Sequence, residues 1–239
     1  MSTIDQLLQV LQQTCHGVDE QVAVLHELNT ALTMASGHPS QNRVVAVIQT
    51  LVPLLSGAHN EVVLLAIRAL ITSVDITPQA SSGLVEAGAL RPMCRRLLEI
   101  QDMDVAEACL KCLHLVSKEN PRAVLEEGGA KACLAFFDFF PLELQQNALG
   151  TVARLVEPGI CCRRTDVWRA REILPLLRES LQKVGVRSTG GGQGGPGDIS
   201  GMASLCLERM VVAFSTPLSP SQARLSSSSS NAPRSGPSR

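Results

Sequence analysis

Leu84-Val85-Glu86-Ala87-Gly88 and its counterpart Leu125-Glu126-Glu127-Gly128 decide how the chain is organised. Each is a short apolar turn ending in an acidic residue and a glycine, and each leads into an amphipathic stretch. Leu90 to Ile100 has apolar positions at 90, 94 and 97, and Lys131 to Phe140 has them at 133, 136 and 140. Spacing of this kind gathers apolar side chains on one face of a helix. A polar break follows, and then a longer Ala/Leu helix. The longer helices align at Ala23-Val24-Leu25, Ala66-Ile67-Arg68-Ala69-Leu70, Cys109-Leu110-Lys111-Cys112-Leu113, Ala148-Leu149-Gly150-Thr151-Val152 and Ser204-Leu205-Cys206-Leu207. Their first positions lie 43, 43, 39 and 56 residues apart.

A period near ~40 residues, built from two or three helices, is the mark of a HEAT or armadillo array. The fold expected is all-α: an armadillo/HEAT-like right-handed α-solenoid of four to five units over 1–215, with a disordered Ser/Pro-rich tail over 216–239. The long last interval is explained by a Gly-rich insertion at about 186–198, where Gly190 to Gly197 holds six glycines and cannot keep a helix. The tail carries a five-serine run at Ser226 to Ser230, four Pro, three Arg and no acid from Pro217 onward. Such a composition cannot bury enough surface to order itself.

Composition agrees with helices packed through small-residue seams. Hydrophobic residues are 45% of the 239, yet only five Phe and one Trp are aromatic and Tyr is missing. The core must be aliphatic, which disfavours an all-β sandwich. Lys and Arg number 21 against 22 Asp and Glu, for a formal net charge of -1, so nothing points to nucleic acid or an anionic membrane. The first basic residue is Arg43, and Ile4 to Leu11 is broken by Asp5, Gln6 and Gln9, which does not fit a signal peptide. The most apolar window, Val44 to Ile67, is interrupted by Pro53, Gly57, His59 and Glu61 and reads as two buried helices rather than a membrane span. A cytoplasmic or nuclear location is expected.

Eight cysteines lie mostly within apolar helical patterns, as small hydrophobes do in a reducing compartment. Cys109-x-x-Cys112 with His114 has the spacing of half a zinc or redox site, but Cys161-Cys162 is a poor second ligand pair for one tetrahedral ion. Buried packing is the expected role. The five scattered histidines support no catalytic constellation, and the glycines at 190 to 197 lack the following Lys-Ser/Thr of a phosphate loop. No cofactor, metal or catalytic residue is therefore expected.

Particular strings go further than periodicity. Leu84 to Leu90 resembles the short-helix/glycine signature of armadillo repeats. Asp104-Val105-Ala106-Glu107-Ala108, Ala123-Val124-Leu125-Glu126-Glu127-Gly128-Gly129, Phe139-Phe140 and Gln146-Asn147-Ala148-Leu149 resemble the N-terminal armadillo region of HECT-type E3 ubiquitin ligases of the ubiquitin-fusion-degradation, KAKTUS and thyroid-receptor-interacting class. His59-Asn60 and Leu174-Pro175-Leu176-Leu177 fit the same pattern, and the likeness runs from about Asp5 to Phe214. The resemblance implies an accessory recognition region, with the transferase chemistry on a separate HECT module that nothing in this sequence resembles. Partners implied are a protein substrate, ubiquitin or both, and that HECT module. The alternatives are a generic armadillo adaptor or importin-α-like carrier, against which a single Trp counts, and an enzyme using Cys109 and Cys112.

Candidate protein-contact residues are Arg91, Arg95 and Glu99, then Lys131, Phe137, Asp138 and Phe139, and finally Trp168 and Arg169. Arg91, Arg95 and Glu99 share one polar helix face, which the resemblance places on the concave surface; an Arg95/Glu99 pair one turn apart would equally explain itself. Phe136 and Phe140, one turn apart, are expected in the core with Cys133. Of Phe137 and Phe139, at least one should reach the groove or a neighbouring unit, because successive helical residues rotate by about 100°. Trp168 sits among Arg163, Arg164, Arg169 and Arg171, where it would serve either as an anchor for an acidic partner or as a staple for a short helix.

Overall fold

The computed structural model describes residues 3–13, 17–34, 41–157, 160, 173–179 and 199–215. Among them no strand occurs; eleven α-helices are bounded in full, and residues 174–179 are helical as well. In chain order these are α1 (Thr3–Gln13), α2 (Val18–Met34), α3 (Gln41–Leu51), α4 (Asn60–Ile76), α5 (Ala80–Glu86), α6 (Leu90–Leu98), α7 (Met103–Glu119), α8 (Pro121–Glu126), α9 (Gly129–Ala135), α10 (Leu142–Leu155) and α11 (Ile199–Ser215). Short 3-10 helices cover Val52–Ser56 and Phe137–Phe139. The expected Gly-rich insertion and tail, with Cys15, Cys161, Cys162, Trp168 and Arg169, lie outside the described residues.

Two complete three-helix units, α5-α6-α7 and α8-α9-α10, show how the sequence builds the array. Gly88 and Gly128 turn the corner from short to middle helix at φ of 76° and 80°. That left-handed backbone penalises any side chain with a Cβ, which is why the acidic-x-Gly string recurs. Pro121 opens α8, where a missing N–H costs nothing. Asp102 starts α7 by accepting a hydrogen bond from the Val105 amide at 3.1 Å.

The long helices α2, α4, α7, α10 and α11 pack in that order into one layer, while α6 and α9 pack on each other and on the long helix of their own unit. Ala66, Ala69, Cys109, Cys112 and Ala148 are fully buried in the long-helix seams, where small side chains let backbones approach. Leu25, Leu70, Leu110 and Leu149 fill the space around them. Each such leucine removed from water contributes about 1.5–3 kcal/mol.

Hydrogen bonds between units follow the repeat. Gln12 to Thr50, Asn29 to the Leu65 carbonyl, Asn120 to Ser81 and Arg154 to Ser117 join residues 36 to 39 apart. Arg209, on α11, reaches back 56 residues to the Ala153 carbonyl, matching the longer last interval. His114 of α7 pairs with Asn147 of α10 and Ser117 with Arg154, so position advances together along the two helices and they run parallel. The fold is an armadillo-like α-solenoid.

One expected helix differs. The stretch from Lys131 to Phe140 leaves helical geometry at Phe136 (φ -125°, ψ 32°), and residues 137–139 form a single 3-10 turn. The break changes which rings face inward: Phe137 and Phe140 are buried at 2% and 4% exposure, whereas Phe136 is only half-buried and Phe139 is 70% exposed. Gln145 donates to the Phe137 carbonyl at 3.2 Å and holds the turn in place.

Candidate protein-recognition site

Each long helix turns one stripe into the seams and leaves another outside. In α4 the outward positions are Leu64, Arg68, Ile71 and Thr72, between the buried residues of the seam. Together with Asn29 of α2 and Asp104, Glu107, Ala108 and Lys111 of α7 they line a groove of about 410 Å³. Leu64 and Ile71 form a half-buried apolar floor, and Arg68, Asp104 and Lys111 stand exposed above it. Arg68, Asp104, Glu107 and Lys111 make no ion pair with one another, so the groove offers both signs of charge to a ligand.

Asn29 has a different task. Its Nδ2 donates to the Leu25 carbonyl at 2.8 Å and to the Leu65 carbonyl at 3.0 Å, which uses both amide hydrogens to tie α2 to α4. Thr72 likewise returns its hydroxyl to the Arg68 carbonyl at 3.1 Å. Farther along the face, the His114 ring lies 3.0 Å from the Asn147 carbonyl, which only accepts, so Nδ1 carries the proton. Burial pushes the His114 imidazole below its usual range.

The expected concave position of Arg91, Arg95 and Glu99 needs correcting. Arg91 and Arg95 lie on α6 and Glu99 caps its C-terminal end; α6 is in the other layer, with Leu90, Met93, Cys94 and Leu97 turned inward against α7 and α9. Arg91, its side chain 83% exposed, pairs with Glu127 of the next unit at 3.1 Å, and Arg95 and Glu99 form no ion pair along the helix. Lys131 is exposed in the first turn of α9. Burial removes Phe137 from any contact surface, Asp138 is partly buried beside it, and Phe139 remains available. The structure thus gathers Arg91 and Arg95 on α6 but does not bring them to the long-helix groove.

The groove residues sit inside strings whose small apolar residues speak for packing. A signal for them existed: Arg68 and Lys111 are each the third residue of their aligned string, a basic side chain recurring between small apolar ones.

The thiols among the described residues are packed, not poised. Cys94, Cys109, Cys112, Cys133 and Cys206 are buried and unpaired. Burial pushes Cys94, Cys112 and Cys206 up to about 12, and raises Cys109 and Cys133 further. A protonated, enclosed thiol is a poor nucleophile and a poor ligand. Among the described residues no group of three or more His, Cys, Asp or Glu could hold a metal ion, and no helix is long and apolar enough to cross a membrane.

Residues 1–126 match the family described as TRIP12-like E3 ubiquitin-protein ligase, TPR repeats. The E3 ubiquitin-protein ligase UPL3 of Arabidopsis thaliana is 33% identical over 172 residues, which are 70% of this chain and 8% of that protein. The E3 ubiquitin-protein ligase TRIP12 of Danio rerio is 32% identical over 200 residues, 79% of this chain and 9% of its own. The chain therefore spans less than a tenth of the length of these relatives. A designed armadillo repeat protein, solved in complex with the peptide (KR)4, superposes with a TM-score of 0.54 at 18% identity, over 87% of this chain and 100% of that one, a likeness of fold. Units of three helices at spacings of 39 and 43 residues are longer than a two-helix TPR unit of about 34, so the geometry is armadillo despite the family's description. With more than half of its residues inside the family match and a third of its positions shared with relatives across most of its length, the chain belongs to the TRIP12-like E3 ubiquitin-protein ligases, in their helical-repeat region.

Proposed function

We propose that this region is the recognition scaffold of a HECT-type ubiquitin ligase, with the long-helix groove holding a protein client or ubiquitin while another module carries out transfer. The observation that carries the reading is the groove itself, an apolar floor of Leu64 and Ile71 beneath charged side chains of both signs that do not neutralise one another. Apolar contact supplies affinity to such a site and unspent charges fix orientation. Hydrogen bonds tie α2 to α4 and α7 to α10, and α4 packs directly on α7, so the groove is largely formed in advance and binding costs little ordering entropy. The five buried thiols among the described residues support assigning the covalent step elsewhere. The designed armadillo protein of similar fold was solved with a bound peptide, which supports a groove of this kind as a peptide cradle. An importin-like mode is less favoured, since Asn29 spends its amide inside the fold.

Arg91, Arg95, Lys131 and Phe139 on the short-helix layer are the second place for a client. Charge reversal separates the two. Ubiquitinated proteins should be retained by the Arg91→Glu/Arg95→Glu chain and lost by the Arg68→Glu/Lys111→Glu chain in a pull-down. The opposite pattern would move recognition to α6.

A further inference from the structure

Side-chain bonds close the long-helix face on both flanks of the groove. On one flank Asn29 ties α2 to α4. On the other, the His114 ring of α7 reaches the Asn147 carbonyl and the Thr151 hydroxyl of α10, and Arg154 of α10 donates to Ser117 of α7. Gly150 of α10 holds the place of Arg68 and Lys111 in its aligned string, yet a Cβ there would already stand 3.2 Å from the Met202 methyl and 3.6 Å from the His114 ring. Between these flanks, among the described residues, no side-chain hydrogen bond or ion pair joins α4 to α7. The open part of the face is therefore one seam wide, and it runs along the helices instead of across the array.

The seam has a direction. Asn120, at the end of α7, donates at 2.9 Å to Ser81, just beyond the end of α4, so the two helices end together and run the same way. Leu64 and Ile71 of α4 are seven residues apart, as are Asp104 and Lys111 of α7, which is two turns or roughly 10 Å of helix. A floor of that length matches the apolar stripe of a third helix laid along the seam, whose anchors recur at i, i+3 or i+4, and i+7. Charge is ordered along the same line. Asp104 and Glu107 come first on α7 and Lys111 last, with Arg68 on the facing wall between Leu64 and Ile71. Glu61, exposed in the first turn of α4, adds to the acidic end, while Asp75 and Lys118 beyond the basic end are one of each sign.

Granted the groove as the client face, we propose that the client element seated in it is an amphipathic helix running antiparallel to α4 and α7, with acidic residues in its first turn and basic residues in its last. That distribution is the one a helix's own dipole favours. It sets the acidic start against Lys111 and Arg68 and the basic end against Asp104 and Glu107. The same helix turned round would place like charges together at both ends. An extended chain crossing the array would leave the seam for the closed flanks after one helix on either side.

Fluorescence anisotropy on the whole chain tests this with three labelled peptides that share their charged and apolar side chains. One is a stapled helix with glutamates in its first turn, leucines on one face and lysines in its last turn. The second is the same stapled helix with glutamates and lysines exchanged, and the third is extended by interspersed prolines. The first should bind at least tenfold tighter than either of the others. Arg68→Glu/Lys111→Glu should weaken it at least tenfold, and Asp104→Lys/Lys111→Glu should reverse the preference between the two stapled helices. These residues are exposed, so circular dichroism should show the fold intact. Equal binding of the two stapled helices, or tighter binding of the extended peptide, would overturn the helical client. Failure of all three to bind would overturn it too; a client pull-down that still depends on Arg68 and Lys111 would then keep the groove as the client face, whereas a pull-down indifferent to them would remove the groove itself.

Discussion

Asn29 of α2 donates to the Leu65 carbonyl of α4 across 3.0 Å, and its other amide hydrogen closes on Leu25 of its own helix at 2.8 Å. A single half-buried side chain thus adds a hydrogen-bonded tie to the apolar packing of the first two long helices, on which one wall of the groove depends. Asn29→Ala should destabilise the chain by about 1 kcal/mol, read as a lower denaturant midpoint. An unchanged midpoint would mean that water replaces the amide without loss.

The seams should resist added volume. Ala66 and Cys109 are fully enclosed between long helices. Ala66→Leu or Cys109→Leu should cost about 1–3 kcal/mol through forced displacement of neighbours, and equilibrium unfolding would show it. Tolerance of both would contradict the seam packing.

The corner glycines fail for different reasons. A Cβ on Gly88 or Gly128 meets nothing within 4 Å, so alanine there is penalised by backbone conformation alone, about 1–2 kcal/mol, with asparagine milder. At Gly129 a Cβ would come within 2.4 Å of Val124 Cγ1 and 2.8 Å of the Val124 carbonyl oxygen. Gly129→Asn should therefore be worse than Gly129→Ala, the reverse of the order at Gly128, and thermal unfolding of the four variants checks it.

Much of this was legible in the sequence, for a physical reason. Acidic-x-Gly strings mark corners that only glycine turns easily, and small residues at a fixed spacing mark helix seams, so Gly88, Gly128, Ala66 and Cys109 disclose the array directly. Helical rotation does not place the rings at 136–140, because the stretch leaves the helix at Phe136 and turns 3-10 at Phe137. The polar stripe of Arg91, Arg95 and Glu99 says only which side of the helix is wet, not which layer the helix joins. Which layer α6 joins depends on contacts with α7 and α9, and these are set by tertiary packing.

The thiols set the alkaline behaviour. Burial opposes the thiolate and pushes Cys94, Cys112 and Cys206 up from the usual 9.0 to about 12 in the fold. The unfolded chain releases these protons first, so their contribution is complete below about 9 and is lost as pH rises toward 12. The denaturant midpoint should fall over that window, less steeply in Cys94→Ala/Cys112→Ala. In the native chain at pH 8, iodoacetamide should leave all five buried cysteines unmodified by mass spectrometry. Rapid labelling of any would revive an enzymatic role.

The claim that the long-helix groove is the client face is tested most directly by photocrosslinking in the full-length ligase. A benzoylphenylalanine is placed at Lys111 in the groove or at Lys131 on the short-helix layer, and the ligase is irradiated with a ubiquitinated client. A client adduct should form from position 111 and none from position 131. An adduct from 131 with none from 111 would contradict it.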